Sequence, residues 1–246
     1  MEQKIRVGAV SYLNTKPLVY GFEKGMMKNE VELMFEYPAK IATQLMHDEI
    51  DIGLIPVAVI PKLKEHYILS DYCIGAVGNV ASVCLFSHVP LHEITHVLFD
   101  YQSRTSAALL KILLREHWHI SPIEVDTSEN YQQYIQGTTA GLVIGDRALQ
   151  QRKLSPYIYD LAEEWKKMTG LPFLFAAWVA NKKLPDDFIE RFNKATGEGI
   201  QHLDEIAATH AIEAYSLHTY FHQNINYHLD EAKKKAMQLF LKKITS

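Results

Sequence analysis

The sequence predicts an α/β fold of two lobes with a cleft between them, the second lobe inserted into the first. Three observations predict it. Short apolar strand patterns alternate with helical patterns along most of the chain, which implies parallel sheet covered on both faces. From Tyr67 to Ser87 the helical periodicity fades into successive strand-like runs, so the chain is changing lobes. Phe173–Ala180 is a long apolar run that crosses back. The first lobe is then 1–87 with 174–246, the second is 88–173, and the two crossings fall near Ser87 and Phe175.

The elements follow in order. Ile5–Val10 is a short apolar run suited to a buried strand. Thr15–Phe22 reads as a helix with Pro17 in its first turn, where a missing N–H costs little. Val31–Tyr37 alternates as a strand, and Pro38 opens a helical pattern through Ile41, Leu45 and Met46. Asp51–Ile55 is a second buried strand, and Pro56 again starts a helix. Gly75 and Gly78 mark a turn or bulge. Beyond Pro90, Ile94–Phe99 reads as strand, Ser103–His117 as helix, Ile123–Asp126 as strand, Glu129–Ile135 as short helix and Ala140–Ile144 as strand. Ile158–Asp160 suits an edge strand and Ala162–Met168 a helix, while Pro185–Ile206 and Leu229–Ile244 are strongly helical. There is no low-complexity linker and no internal repeat.

Composition excludes several classes. Of 246 residues, 48% are hydrophobic and 22% charged, too balanced for disorder, collagen or coiled coil. The 29 acidic and 25 basic residues leave a net charge of −4, which argues against a nucleic-acid footprint. No basic leader precedes an apolar run, and no stretch approaches the roughly 18 apolar residues of a membrane span. Cys73 and Cys84 sit in apolar strand-like segments, where unpaired buried thiols are favoured over a disulfide. A cytoplasmic protein, monomer or homodimer, is the expectation.

In open parallel sheets ligands bind at the carboxyl ends of strands. The first strand ends in Ser11-Tyr12-Leu13-Asn14-Thr15, three hydroxyls and an amide before a helix start. Such donors beside free helix N–H groups suit an anion, although Asn14 or Thr15 as a simple N-cap explains them equally. Ser103-Arg104-Thr105-Ser106 opens the first helix of the second lobe in the same style, again with capping as the plain alternative. Ser82 lies among small apolar residues near the crossing, where a buried serine usually bonds backbone. Gly145-Asp146-Arg147 follows a strand, and an Asp–Arg pair at a helix start is its plain account.

The 12 histidines raise a metal reading, with His218 and His222 four apart and His228 nearby. No HExxH pattern and no cysteine pair joins them, so the expectation is no metal. GxGxxG, Walker and GxSxG patterns are absent, so no nucleotide cofactor, indeed no cofactor, is expected.

The opening Val7-Gly8-Ala9-Val10-Ser11-Tyr12-Leu13-Asn14-Thr15-Lys16-Pro17-Leu18 resembles that of the chorismate dehydratases of the futalosine route to menaquinone. Asp51–Val57, Ala81–Val83, Ser103–Ser106, Ile144–Leu149, Tyr159–Trp165 and Thr169-Gly170-Leu171-Pro172-Phe173 with Phe175–Trp178 agree in order, so the likeness spans nearly the whole chain. The related dihydroxynaphthoate synthases open differently and carry a catalytic histidine where this chain has Gly145-Asp146. The resemblance implies a type II periplasmic-binding-protein-like fold used as a hydro-lyase, with chorismate, a dicarboxylate, as small-molecule substrate. Water would be lost to give 3-[(1-carboxyvinyl)oxy]benzoate. It implies Asn14 and Ser82 as catalytic residues, and Ser11, Tyr12, Ser103, Thr105, Ser106, Gly145 and Asp146 around the substrate. No motif residue is an evident general base, so a substrate carboxylate is the expected base, with Asp146 its competitor. A small-carboxylate sensor, or a related pathway enzyme on another aromatic precursor, are the alternatives.

Overall fold

The computed structural model describes residues 4–245. The chain begins with β1 (Ile5–Val10), α1 (Lys16–Glu23), β2 (Val31–Glu36), α2 (Pro38–Met46), β3 (Ile52–Pro56) and β4 (Tyr67–Ala76). It continues through β5 (Val83–Ser87), β6 (His96–Phe99), α3 (Arg104–Glu116), β7 (Ile123–Asp126), β8 (Thr139–Ile144), α4 (Asp146–Gln151), β9 (Tyr157–Asp160) and α5 (Leu161–Thr169). It closes with β10 (Phe173–Ala180), α6 (Asp186–Glu198), α7 (Leu203–Thr209), α8 (Leu217–Thr219), β11 (Asn226–His228) and α9 (Glu231–Thr245).

Two sheets result: six strands in the order β11-β4-β10-β3-β1-β2, and five in the order β7-β6-β8-β5-β9. Every residue of β3 and β10 is buried, the mark of central strands covered on both faces. The sheets are mixed rather than parallel. β1 runs parallel to β2 and β3, but β10 runs antiparallel to β3 and β4. β5 likewise opposes β8 and β9, while β6 is parallel to β7 and β8. The strands that enter each sheet from the other come in reversed, which alternation along the sequence does not reveal.

β5 belongs to the five-stranded sheet, so the first crossing lies between Ala76 and Val83 rather than near Ser87. The return lies between Asp160 and Phe173, with α5 between, so β10 is already part of the six-stranded sheet at Phe175. Three helical readings also change. Val57–Lys62 and Tyr131–Tyr134 are 3-10 turns, the former holding Pro61 among β-branched residues. The pattern from Pro185 to Ile206 breaks into α6, a 3-10 turn and α7. The break sits at Gly199, where a Cβ would lie 2.1 Å from the Pro17 carbonyl oxygen, so the chain approaches α1 more closely than any side chain permits.

The larger apolar core runs under both sheets, with Trp165 and Trp178 fully buried, and a smaller cluster around Phe86 and Tyr131 lies on the five-stranded sheet. α9 lies on β10 and reaches α3, where Lys243 pairs with Glu116. Cys73 and Cys84 fall on different sheets, and both thiols are free and buried. Burial pushes the Cys73 thiol up to about 12. Among the described residues, no helix is long and apolar enough to cross a membrane.

Candidate functional site

The carboxyl ends of β1 and β3 and the start of β5 meet at a cleft between the sheets, around a cavity of about 50 Å3. The six-stranded side supplies Val10, Tyr12, Asn14, Pro38, Pro56, Ile74, Phe175 and Ala176. The facing wall is Val80, Ser82, Val83, Ser103, Ser106, Ile144 and Gly145. Most of the lining is apolar, and its polar atoms are hydroxyls, an amide and main-chain groups. That is the usual economy of a small-molecule site.

Ser82 is the best-braced of these residues. It follows Ala81, which holds a left-handed φ of +63°. Such strain in a non-glycine residue persists only where surroundings enforce it. Here the Asp160 carboxylate accepts the N–H groups of Val80 (3.1 Å) and Ala81 (2.7 Å), and Arg152 donates to the Ala81 carbonyl (3.2 Å). Burial pushes the Asp160 carboxyl up, and those main-chain donors pull the other way. Gly145 N–H donates to the Ser82 carbonyl at 2.8 Å, and the Tyr220 hydroxyl donates to Ser82 Oγ at 2.7 Å. Ser82 Oγ accepts in that bond, so its own proton is available to a ligand. Asn14 approaches the same phenol, and burial raises the Tyr220 pKa, keeping the phenol neutral.

Ser103 caps α3. Its Oγ accepts the Ser106 N–H at 3.2 Å and donates to Ser106 Oγ at 2.9 Å. Two hydroxyls at the start of a 13-residue helix thus face the cleft, where the helix dipole favours negative charge. Tyr12 closes one side. Its hydroxyl donates to Gln102 Oε1, which also accepts from Arg147 at 2.8 Å. Arg147 in turn pairs with Asp100 Oδ2 at 2.7 Å, and Tyr131 donates to the same oxygen at 2.6 Å. The Arg147 guanidinium behind this wall is therefore already balanced by Asp100. Burial, with Asp100 adding to it, raises the Tyr12 pKa, so this phenol too stays protonated. Gly145 makes room for the Tyr12 ring: at φ +63° and ψ −147°, a Cβ there would lie 2.9 Å from it.

The structure gathers Tyr12, Asn14, Ser82, Ser103, Ser106 and Gly145 at the cleft and leaves three expected residues out. Ser11 is exposed, and its N–H continues the β1–β2 ladder to the Glu36 carbonyl. Thr105 turns away, its Oγ1 accepting the Ala58 N–H at 3.1 Å. Asp146 sits behind the wall, where its Oδ1 accepts the Leu13 N–H at 3.1 Å and burial raises its pKa. Arg147 pairs with Asp100 rather than with its neighbour Asp146. Tyr220 was not anticipated. It lies on a π-helical turn, Tyr220–Asn224, 138 residues from Ser82 in sequence, and no local pattern marks it.

A family model described as menaquinone biosynthesis matches residues 5–246. The chorismate dehydratase of Thermus thermophilus is 25% identical, the match covering 95% of this chain and 93% of that one. That of Campylobacter jejuni subsp. jejuni is 26% identical, covering 96% and 95%. Among solved structures, a protein of Archaeoglobus fulgidus superposes with a TM-score of 0.79 at 17% identity, covering 98% of this chain and 97% of its own. A Candida albicans protein described as having the generic periplasmic binding protein fold gives 0.65 at 13% identity, covering 99% and 90%. At those identities the structural likeness speaks for fold alone: two mixed sheets in the periplasmic-binding-protein arrangement.

Proposed function

The chain belongs to the menaquinone-biosynthesis family, and on that premise we propose that it dehydrates chorismate to 3-[(1-carboxyvinyl)oxy]benzoate. The observation that carries this reading is the pairing of Asn14 and Ser82 on opposite walls of one neutral, hydroxyl-lined cleft. The reaction removes the proton from C3 of the ring and the hydroxyl from C4, which together make the water lost. Aromatisation drives it downhill, so the protein's task is to hold the ring and direct one proton.

Each group has a part in that task. Ser103, Ser106 and the α3 amides receive one carboxylate of the substrate. Ser82, oriented by Tyr220, donates to the other, and Asn14 holds the departing hydroxyl. Among the described residues, no carboxylate or imidazole lines the cleft, and the Tyr12 phenol is kept protonated. A substrate carboxylate is therefore the base that takes the C3 proton and passes it to the departing C4 hydroxyl, so that water leaves. Asp146 is the rival base, but its Oδ1 is engaged by Leu13 and it lies behind the lining. The apolar floor of Pro38, Pro56, Ile74 and Phe175 keeps water from a substrate prone to rearrangement.

Incubation of the protein with chorismate, followed by ultraviolet absorbance and product mass, tests the reading. Loss of one water per chorismate supports it. Binding without mass change would instead make the protein a carboxylate sensor, and inertness would point to another aromatic precursor.

A further inference from the structure

Asp204 in α7 and His218 and His222 on the α8–π-turn run meet at the surface, away from the cleft. We propose that these three side chains form a binding site for a first-row divalent transition cation, zinc being the best match. His222 Nε2 lies 2.9 Å and His218 Nε2 3.5 Å from the same oxygen, Asp204 Oδ1. The three ligand atoms all fall within 4.8 Å of one another. A tetrahedral zinc with bonds of about 2.0–2.1 Å keeps its ligand atoms about 3.3 Å apart, so small side-chain shifts complete the site. Two imidazole nitrogens and one carboxylate oxygen suit zinc, cobalt, nickel or copper, and do not suit magnesium or calcium, which take oxygen ligands.

A plain ion pair accounts for one imidazole on Asp204. The second converges on the same oxygen, with its ring centroid 4.5 Å from the first. A shared cation accounts for both. The side chains are 78%, 66% and 35% exposed for Asp204, His218 and His222, so a cation enters without any opening and water fills its remaining positions. Bound there, it staples α7 to the run that carries Tyr220, whose hydroxyl meets Ser82.

The test uses the full chain without a histidine tag. Zinc ions alone are titrated by calorimetry, cobalt ions by visible absorbance, and thermal midpoints are read with and without zinc. One cation per chain is expected, with four- or five-coordinate cobalt bands and a raised thermal midpoint. Asp204→Asn, His218→Ala and His222→Ala should each weaken zinc binding by at least about tenfold, the loss that even outer partners of metal ligands produce. Each should also abolish the thermal shift, while His92→Ala, an exposed histidine elsewhere, changes neither. Because the three ligands are exposed, these variants should keep the metal-free fold, read from circular dichroism. Absence of saturable binding below about 1 mM zinc, or undiminished binding in a His218→Ala/His222→Ala variant, overturns the proposal.

Discussion

Tyr220→Phe isolates one hydrogen bond. The Tyr220 ring is fully buried, edge-on to Tyr215 at 6.4 Å, and phenylalanine keeps that packing. What disappears is the hydroxyl that donates to Ser82 Oγ at 2.7 Å. Ser82 is itself wholly buried, so its oxygen is left without that donor. Stranding a buried acceptor costs about 1–3 kcal/mol. At roughly 2–4 °C per kcal/mol for a chain of this length, the thermal midpoint should fall by about 2–12 °C. If the same energy is what holds Ser82 against the transition state, each 1.36 kcal/mol is a factor of ten, and kcat/KM should fall about 5- to 150-fold. The assay is chorismate consumption by absorbance, well below the thermal midpoint, with product identity by mass. A folded Tyr220→Phe protein whose kcat/KM stays within about twofold of the parent would refute the reasoning, because Ser82 would then be oriented without Tyr220.

The other predictions concern neighbouring residues. Asn14→Ala and Ser82→Ala should each lower turnover by two or more orders of magnitude, about the loss from a misplaced substrate, with circular dichroism unchanged; near-normal turnover in both would sink the assignment. Gly145→Ala adds a left-handed backbone penalty of about 1–3 kcal/mol to an overpacking cost of similar size against Tyr12, read as a lower thermal midpoint and slower turnover. Asp146→Asn keeps an acceptor for Leu13 and should leave most activity; if it alone abolishes turnover, Asp146 is the base. Burial would raise the Asp51 carboxyl, but Arg6 and Lys182 outweigh it and hold the group down at about 2. Its contribution to stability is therefore complete above the ordinary carboxylate range near 4 and is lost as pH falls towards 2. Thermal midpoints between pH 5 and 2.5 should drop more steeply for the parent than for Asp51→Asn, and parallel curves would remove this pair from the account.

Much of this was legible because strand ends and helix starts are local features. β1 and its Ser-Tyr-Leu-Asn terminus are written as an apolar run followed by donors, and Ser103 caps α3 where expected. What local pattern does not carry is direction. Ser103, Thr105 and Ser106 share one helical turn, yet only the first and third face the cleft, while Thr105 bonds Ala58 in the opposite part of the chain. Sheet polarity is hidden for a related reason: β5 and β10 look like any buried strand, and their reversed sense follows from where the chain has just come from. Tyr220 lay beyond reach altogether, because a π-turn has no hydrophobic period and its contact with Ser82 is set by tertiary folding.

The links that span the cleft also act as a set. Leu13 holds Asp146, Tyr12 holds Gln102, Ala39 donates to the Gln102 carbonyl, Ala58 holds Thr105, and Tyr220 holds Ser82. These are ties between the two walls, and separating the walls means breaking them together. At about 0.5–1.5 kcal/mol each, five of them hold the walls together by roughly 3–8 kcal/mol.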